Sequence, residues 1–152
     1  MLSLKTQRGL IWILIPFIYG WLANRTGVII PPVIAQVVFG IFWLWTGAYF
    51  AQIKGSRLKH FLLGNSVWAL SFGLFLWQFI YTSADDRLLF LAGWSQHYML
   101  AFLWSGVRLY RLIDSTLHGT HITLTAYIVM FVLFTLGFAW RILRGRSQNR
   151  PS

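Results

Sequence analysis

Apolar residues along this chain gather into five long runs that short polar turns separate. At about 1.5 Å of rise per residue, a helix of about 20 apolar residues crosses the hydrocarbon core of a bilayer. The pattern therefore predicts an all-α fold, a single polytopic integral membrane domain built as a bundle of five transmembrane helices. The runs cover residues 9–23, 31–53, 60–82, 88–107 and 120–140, and a basic tail follows at 141–152.

The basic residues at the ends of these runs bear on the number of crossings. With five crossings, seven lysines and arginines lie on one side and six on the other, so charge selects no orientation. If residues 88–107 did not cross, the N-terminus, the 54–59 loop and the tail would share one side, with nine basic residues against four. Charge thus favours four crossings. We nevertheless expect five, with four as the alternative, because about 20 apolar-dominated residues at the interface would leave a large surface unburied.

Composition agrees with a membrane protein. Hydrophobic residues make up 57% of the chain and charged residues only 11%, whereas soluble domains carry about a quarter charged residues. The net charge of +10 sits at loop ends, where it orients helices and contacts anionic lipid headgroups, so we expect the lipid bilayer as a partner and no nucleic acid. The absence of cysteine excludes thiol catalysis and disulfides. Small size and short loops suggest a bacterial plasma (inner) membrane.

The centre of the run 88–107 contains the polar pair Gln96 and His97. Ionisable groups in hydrocarbon are costly and mark functional sites, so His97 is a candidate proton relay, substrate contact or haem ligand. Haem would require a second histidine at the same depth, and the other three histidines lie near helix ends. We therefore expect no cofactor, and we favour a neutral His97 hydrogen-bonded across a helix interface to Ser71, Gln78, Gln36 or a carbonyl. The membrane-buried polar candidates are His97, Gln96, Gln36 and Gln78.

Small residues recur at helical spacing in several runs. In the run 88–107 the residues Gly93, His97, Ala101 and Ser105 recur at intervals of four. Such a stripe lets two helix backbones approach closely, within one chain or between chains. The predicted packing positions are Gly93, Ala101, Ser105, Gly40, Gly47, Ala69 and Gly73.

Two further groups follow the run 88–107. Arg108 and Arg111 are candidates for binding an anionic substrate or a lipid headgroup, although basic residues at a helix end more commonly mark topology. Asp114, His118 and His121 would share one face of a helix, and a carboxylate with two imidazoles can ligate a divalent metal. Gly119 and a capping Thr120 would break that face, so we favour a solvated loop.

Three functions remain compatible with this pattern. We expect a non-enzymatic accessory, assembly or immunity subunit that acts on another membrane protein, because no catalytic motif is present. The first alternative is a small homo-oligomeric transporter or channel with a polar path past Gln36, Gln78 and His97. The second is a membrane enzyme or metal-binding protein that uses His97 or the set of Asp114, His118 and His121.

Overall fold

The structure is a computed structural model that describes residues 3–27, 30–113, 116 and 118–148, with the backbone alone at 146–148. Within these ranges all regular secondary structure is helical. The α-helices are α1 (Leu4–Thr26), α2 (Pro32–Ala51), α3 (Arg57–Gly64), α4 (Ser66–Leu76), α5 (Leu89–Met99), α6 (Leu103–Tyr110) and α7 (Gly119–Gln148). A π-helical turn, Trp77–Tyr81, extends α4, and a 3₁₀ turn, Leu100–Phe102, joins α5 to α6.

Two of the described helices, α2 and α7, are long and apolar enough to cross a membrane by themselves. A third candidate span is α3 with α4, if this pair, bent by 48°, is counted as one crossing. The bend falls at Asn65, whose backbone amide and side-chain nitrogen both donate to the carbonyl of Phe61, at 3.1 and 3.0 Å. The predicted run 60–82 is therefore divided into two helices.

The first helix is longer than the predicted run 9–23. It starts at Ser3, whose side chain accepts a hydrogen bond from the amide of Thr6 at 3.2 Å as an N-cap. It ends at Gly27, where φ is 67° and the amide donates to the carbonyl of Ala23. The capped helix thus includes Lys5 and Arg8, and it is not among the described helices that are apolar enough to span alone.

The run 88–107 is not one straight helix. Its two ends lie at the same end of the bundle, because Arg87 just before the run and Val107 at its last residue line one cavity together with Gly119, the first residue of α7. Its middle is buried, with the Phe102 ring 6.5 Å from Phe39 and 6.4 Å from Trp43 between ring centroids. Residues 88–110 therefore turn back inside the bundle instead of running through it.

The opposite end of the bundle is basic. Lys5, Arg57 and Arg141 line one hollow there, together with the end of α2 at Gln52. The Tyr49 hydroxyl donates to the carbonyl of Lys5 at 3.0 Å, which fixes the end of α2 beside the start of α1. The start of α1, the end of α2, the start of α3 and the end of α7 thus meet at one end.

Among the described helices, α2 and α7 share the most extensive contact. A Cβ added to Gly47 would collide with the carbonyl of Phe134, and one added to Gly137 would collide with the carbonyl of Leu44. The two backbones therefore touch at reciprocal glycines, an arrangement typical of membrane helices. Trp43 is fully buried beside this contact.

The small residues predicted for packing fall into two groups. Gly47, Ala101 and Ser105 are buried inside the bundle. Ala69 and Gly73 lie on an exposed face of α4, and a Cβ on Gly73 would meet no described atom within 4 Å. For Gly40 and Gly93 the same test finds only a side chain at 3.9 Å, an ordinary contact. The latter four positions thus make no close backbone contact within the described chain.

Candidate functional site

Two adjoining cavities lie at the end of the bundle opposite the one where Lys5, Arg57 and Arg141 meet. One has a volume of about 540 Å³ and the other about 320 Å³. Both are lined by Gln96 and Leu100, so the two form neighbouring parts of what we call the end chamber. The polar side chains of its wall are Asn24, Arg87, Gln96, His97, Thr120 and Thr123.

His97 faces the smaller part of the end chamber and is held by α1. Asn24 Nδ2 lies 2.9 Å from His97 Nε2. Because an amide nitrogen only donates, Nε2 accepts and the ring proton lies on Nδ1. Nδ1 is buried and has no hydrogen-bond partner among the described residues. The histidine does pair across a helix interface, but with Asn24 and not with Ser71, Gln78 or Gln36 as the sequence suggested.

Gly20 explains why α1 reaches His97. A Cβ on Gly20 would collide with the backbone carbonyl of His97, so only glycine permits α1 and α5 to lie this close. Asn24 follows Gly20 by four residues and therefore projects from the same face of α1, next to the imidazole. The spacing of Gly20 and Asn24 is the sequence signal for this contact.

Arg87 faces the larger part of the end chamber. Its Nε donates to the carbonyl of Gln78 at 2.9 Å, and its guanidinium carbon lies 5.0 Å from the centre of the Phe79 ring. Gln78 is itself 1% exposed, and its side-chain oxygen accepts from the amide of Leu88 at 2.8 Å. Gln78, the second residue of the π-helical turn, thus binds both Arg87 and the backbone at the start of residues 88–110.

The remaining wall combines positive potential with apolar surface. The first residues of α7, Gly119 and Thr120, line the larger part, and the N-terminus of a helix carries partial positive charge. Among the residues that line the chamber, Arg87 carries the only formal charge. The apolar side chains of the larger part are Phe75, Phe79, Met99, Leu100, Leu103, Val107 and Ile122. A molecule with an anionic group and a hydrocarbon part matches this wall.

The residues predicted for a polar path do not line one route in a single chain. Gln36 lies in a separate groove with Arg108, outside the end chamber. Gln78 is buried behind the wall, bound to Leu88. His97 lies in the smaller part of the end chamber. Of the polar candidates, only Gln96 and His97 share a hollow.

The two arginines of the predicted anion site, Arg108 and Arg111, likewise do not line one cavity. The guanidinium carbon of Arg108 lies 5.7 Å from the centre of the Trp104 ring, beside the groove that contains Gln36. Arg111 lies exposed in the turn after α6 and does not line that groove.

The predicted metal set is only partly described, because Asp114 lies outside the described residues. The rings of His118 and His121 lie 5.6 Å apart between centroids, and His121 Nδ1 lies 2.8 Å from the hydroxyl of Tyr110. Among the described residues, no group of three histidine, cysteine, aspartate or glutamate side chains comes together. Nδ1 of His121 is therefore engaged in a hydrogen bond with the Tyr110 hydroxyl.

Sequence reasoning missed Arg87, Asn24, Thr120 and Thr123 as parts of a site. It also missed a buried hydroxyl cluster in the middle of the bundle, where the Tyr127 hydroxyl lies 2.7 Å from both Ser71 Oγ and the carbonyl of Ser95. No short motif marks these residues, since distant helices contribute them. No protein family, curated protein or solved structure matches the chain.

Proposed function

We propose that this chain is an integral membrane protein that acts without catalysis, as an accessory subunit that binds an amphiphilic anion in the end chamber. The observation that carries the proposal is that Arg87 and the start of α7 line the same cavity as a set of apolar side chains. Arginine and a helix N-terminus both favour an anionic group, and the wall favours hydrocarbon.

We further propose four membrane crossings: α1, α2, α3 with α4, and α7. Residues 88–110 then enter and leave at the same side as a re-entrant segment. This is supported by the shared hollow of Arg87 and Gly119 at one end and of Lys5 and Arg141 at the other. Four crossings also collect nine basic residues on one side against four, which supports a cytoplasmic location for both chain ends. A bacterial plasma membrane fits this orientation.

Dodecyl phosphate and dodecanol form a matched pair of ligands for the end chamber, since they differ only in the anionic group. Binding to the full-length protein in a neutral detergent is measured by calorimetry. We expect saturable binding of dodecyl phosphate and weaker binding of dodecanol. Replacing Arg87 by Gln should weaken dodecyl phosphate binding by about tenfold, the size expected for one charge-assisted hydrogen bond.

Arg25→Gln is the matched control, because Arg25 lies exposed near the same end but does not line the chamber. It should change the affinity for dodecyl phosphate by less than about twofold, as surface charges do. Equal binding of dodecanol and dodecyl phosphate, or equal losses in Arg87→Gln and Arg25→Gln, would contradict the proposed ligand class.

The accessory role further requires a surface for another membrane protein or a second copy of this chain. Helix α4 offers one, because Ala69 and Gly73 are exposed at small-xxx-small spacing. In bilayers such spacing brings two helices into close contact.

A further inference from the structure

At the basic end of the bundle, Lys5, Arg57 and Arg141 line a cavity of about 500 Å³, which we call the basic cavity. The three side chains come from the starts of α1 and α3 and from the end of α7. The two described acidic residues, Asp85 and Asp86, lie at the opposite end of the bundle, in the turn that leads to the end chamber. Three positive charges thus meet in one cavity that no described carboxylate lines.

Two of these cations are placed unfavourably for the helices that carry them. Arg57 is the first residue of α3 and Lys5 is the second residue of α1, and neither helix has an acidic residue in its first turn. The N-terminus of a helix carries partial positive charge, so a cation there costs stability unless an anion lies nearby. The side chains of Lys5, Arg57 and Arg141 form no hydrogen bond or ion pair with other described residues. This concentration of positive charge therefore favours an anion from outside the chain.

The basic cavity lies at the boundary of the membrane in the proposed topology. Its wall includes Ala51, the residue at which the candidate span α2 ends. The chain exposes a large apolar side chain next to two of the cations, Leu4 beside Lys5 and Leu58 beside Arg57. Leucines exposed beside cations suit the level at which hydrocarbon meets the headgroups, where the phosphates of lipids lie. A lipid headgroup can therefore reach the cavity from the bilayer.

The chemistry of the three side chains restricts this headgroup. An arginine holds a phosphate with two parallel N–H donors, whereas a lysine supplies a point charge. Arg57 and Arg141 can thus hold one phosphate each, and Lys5 adds a third positive charge. The volume of about 500 Å³ lies within the range of about 300–1,000 Å³ that is typical of ligand sites. Basic pockets between membrane helices on the cytoplasmic side suit headgroups with several phosphate charges.

We propose that the basic cavity binds one lipid whose headgroup carries two phosphates, with Arg57 and Arg141 on the phosphates and Lys5 as the third cation. Diphosphatidylglycerol has this chemistry. A soluble diphosphate shares the charge but lacks the acyl chains that hold a lipid at the membrane boundary. This site differs from headgroup contacts spread over all the basic residues, because one lipid is assigned to three side chains. It depends on the proposed topology but on neither Arg87 nor the end chamber.

Native mass spectrometry of the full-length protein in a neutral detergent counts bound lipids and gives their affinities. The probes are diphosphatidylglycerol, phosphatidylglycerol with one phosphate, and phosphatidylcholine with no net charge, all with oleoyl chains. We expect one diphosphatidylglycerol to bind about tenfold more tightly than phosphatidylglycerol, and phosphatidylcholine not to bind saturably. Inorganic pyrophosphate at the same concentration should not displace the lipid. Displacement would assign the cavity to a soluble diphosphate and overturn the lipid as its occupant.

Two matched pairs of variants separate the basic cavity from the rest of the basic end. Arg141→Gln and Arg57→Gln should each weaken diphosphatidylglycerol binding by about tenfold, the size expected for one charge-assisted hydrogen bond. Their controls are Arg144→Gln and Lys59→Gln, which remove the same charge from the same helices at residues that do not line the cavity. Each control should change the affinity by less than about twofold, as surface charges do.

Unfolding without lipid gives an independent readout. Arg57→Gln should unfold at a temperature no lower than wild type in lipid-free detergent, because it removes a charge that no described residue balances. Diphosphatidylglycerol should then raise the unfolding temperature of wild type more than that of the variant.

Equal affinities for the three lipids, or equal losses in Arg141→Gln and Arg144→Gln, would overturn the proposal. Arg87→Gln should leave diphosphatidylglycerol binding intact, so a failed end chamber and a failed basic cavity give different results.

Discussion

Gly20 decides how closely α1 approaches the turned-back segment. Its missing side chain leaves room for the backbone of His97, and the close approach puts Asn24 within hydrogen-bond distance of the imidazole. The position of the most notable polar residue in the chain therefore depends on a glycine more than 70 residues earlier.

Gly20→Ala should destabilise the protein by about 2 kcal/mol, because the new methyl group forces α1 and α5 apart. Reversible unfolding in mixed micelles measures the change. Gly145→Ala is the matched control, since its methyl group meets nothing within 4 Å. It should stabilise by up to about 1 kcal/mol through helix propensity. Equal effects of the two variants would show that the contact between Gly20 and His97 is absent.

His97 also shows where residue-level prediction reached its limit. Its pairing across a helix interface follows from the cost of an unpaired polar group in an apolar run. The partner does not follow, because Asn24 stands at the end of another run and the approach depends on Gly20. Arg87 lies between two apolar runs in the sequence, and only its contacts with Gln78 and Phe79 bring it to the chamber wall.

Among the helices, α2 and α7 were the most predictable. Helix α2 nearly coincides with the predicted run 31–53, whereas α7 continues past the predicted run 120–140 into the basic tail as far as Gln148. Their glycines allow reciprocal contact. The division of the third run at Asn65 and of the fourth at 100–102 was not predicted. The break at Asn65 coincides with a local hydrogen bond to Phe61, whereas the break at 100–102 lies where Phe102 packs against Phe39 and Trp43, a tertiary contact that periodicity does not encode.

Helix α4 carries the prediction that concerns a partner. Gly73→Leu should remove a bound polypeptide or second copy from protein extracted gently from its own membrane, because a large side chain separates two closely packed helices. Native mass spectrometry detects the loss as a return to the mass of a single chain, 17.6 kDa.

The control for this helix is Gly145→Leu, which adds the same side chain at a glycine of α7 that also meets nothing within 4 Å. It should leave the complex intact. A wild-type chain that is already alone in the gentle extract would contradict the proposed use of α4.

At the scale of the whole molecule, the arrangement of charge agrees with the path of the chain. The hollow of Lys5, Arg57 and Arg141 brings the basic ends of α1, α3 and α7 together. An odd number of full crossings would separate the start of α1 from the end of α7. The unequal number of lysines and arginines on the two sides thus favoured four crossings, whereas the apolar length of residues 88–107 favoured five.

The central claim is that residues 88–110 enter and leave at one side of the membrane. The chain has no cysteine, so single cysteines can be introduced without removing any. Ala84→Cys and Thr116→Cys flank the segment, and Lys54→Cys and Gly145→Cys mark the basic end. Each variant is labelled in intact cells with a membrane-impermeant maleimide, before and after permeabilisation.

The re-entrant account predicts that positions 84 and 116 react from outside, whereas 54 and 145 react only after permeabilisation. With five crossings, 84 and 116 would react from opposite sides, and so would 54 and 145. That second pattern would contradict the turned-back segment and the topology built on it.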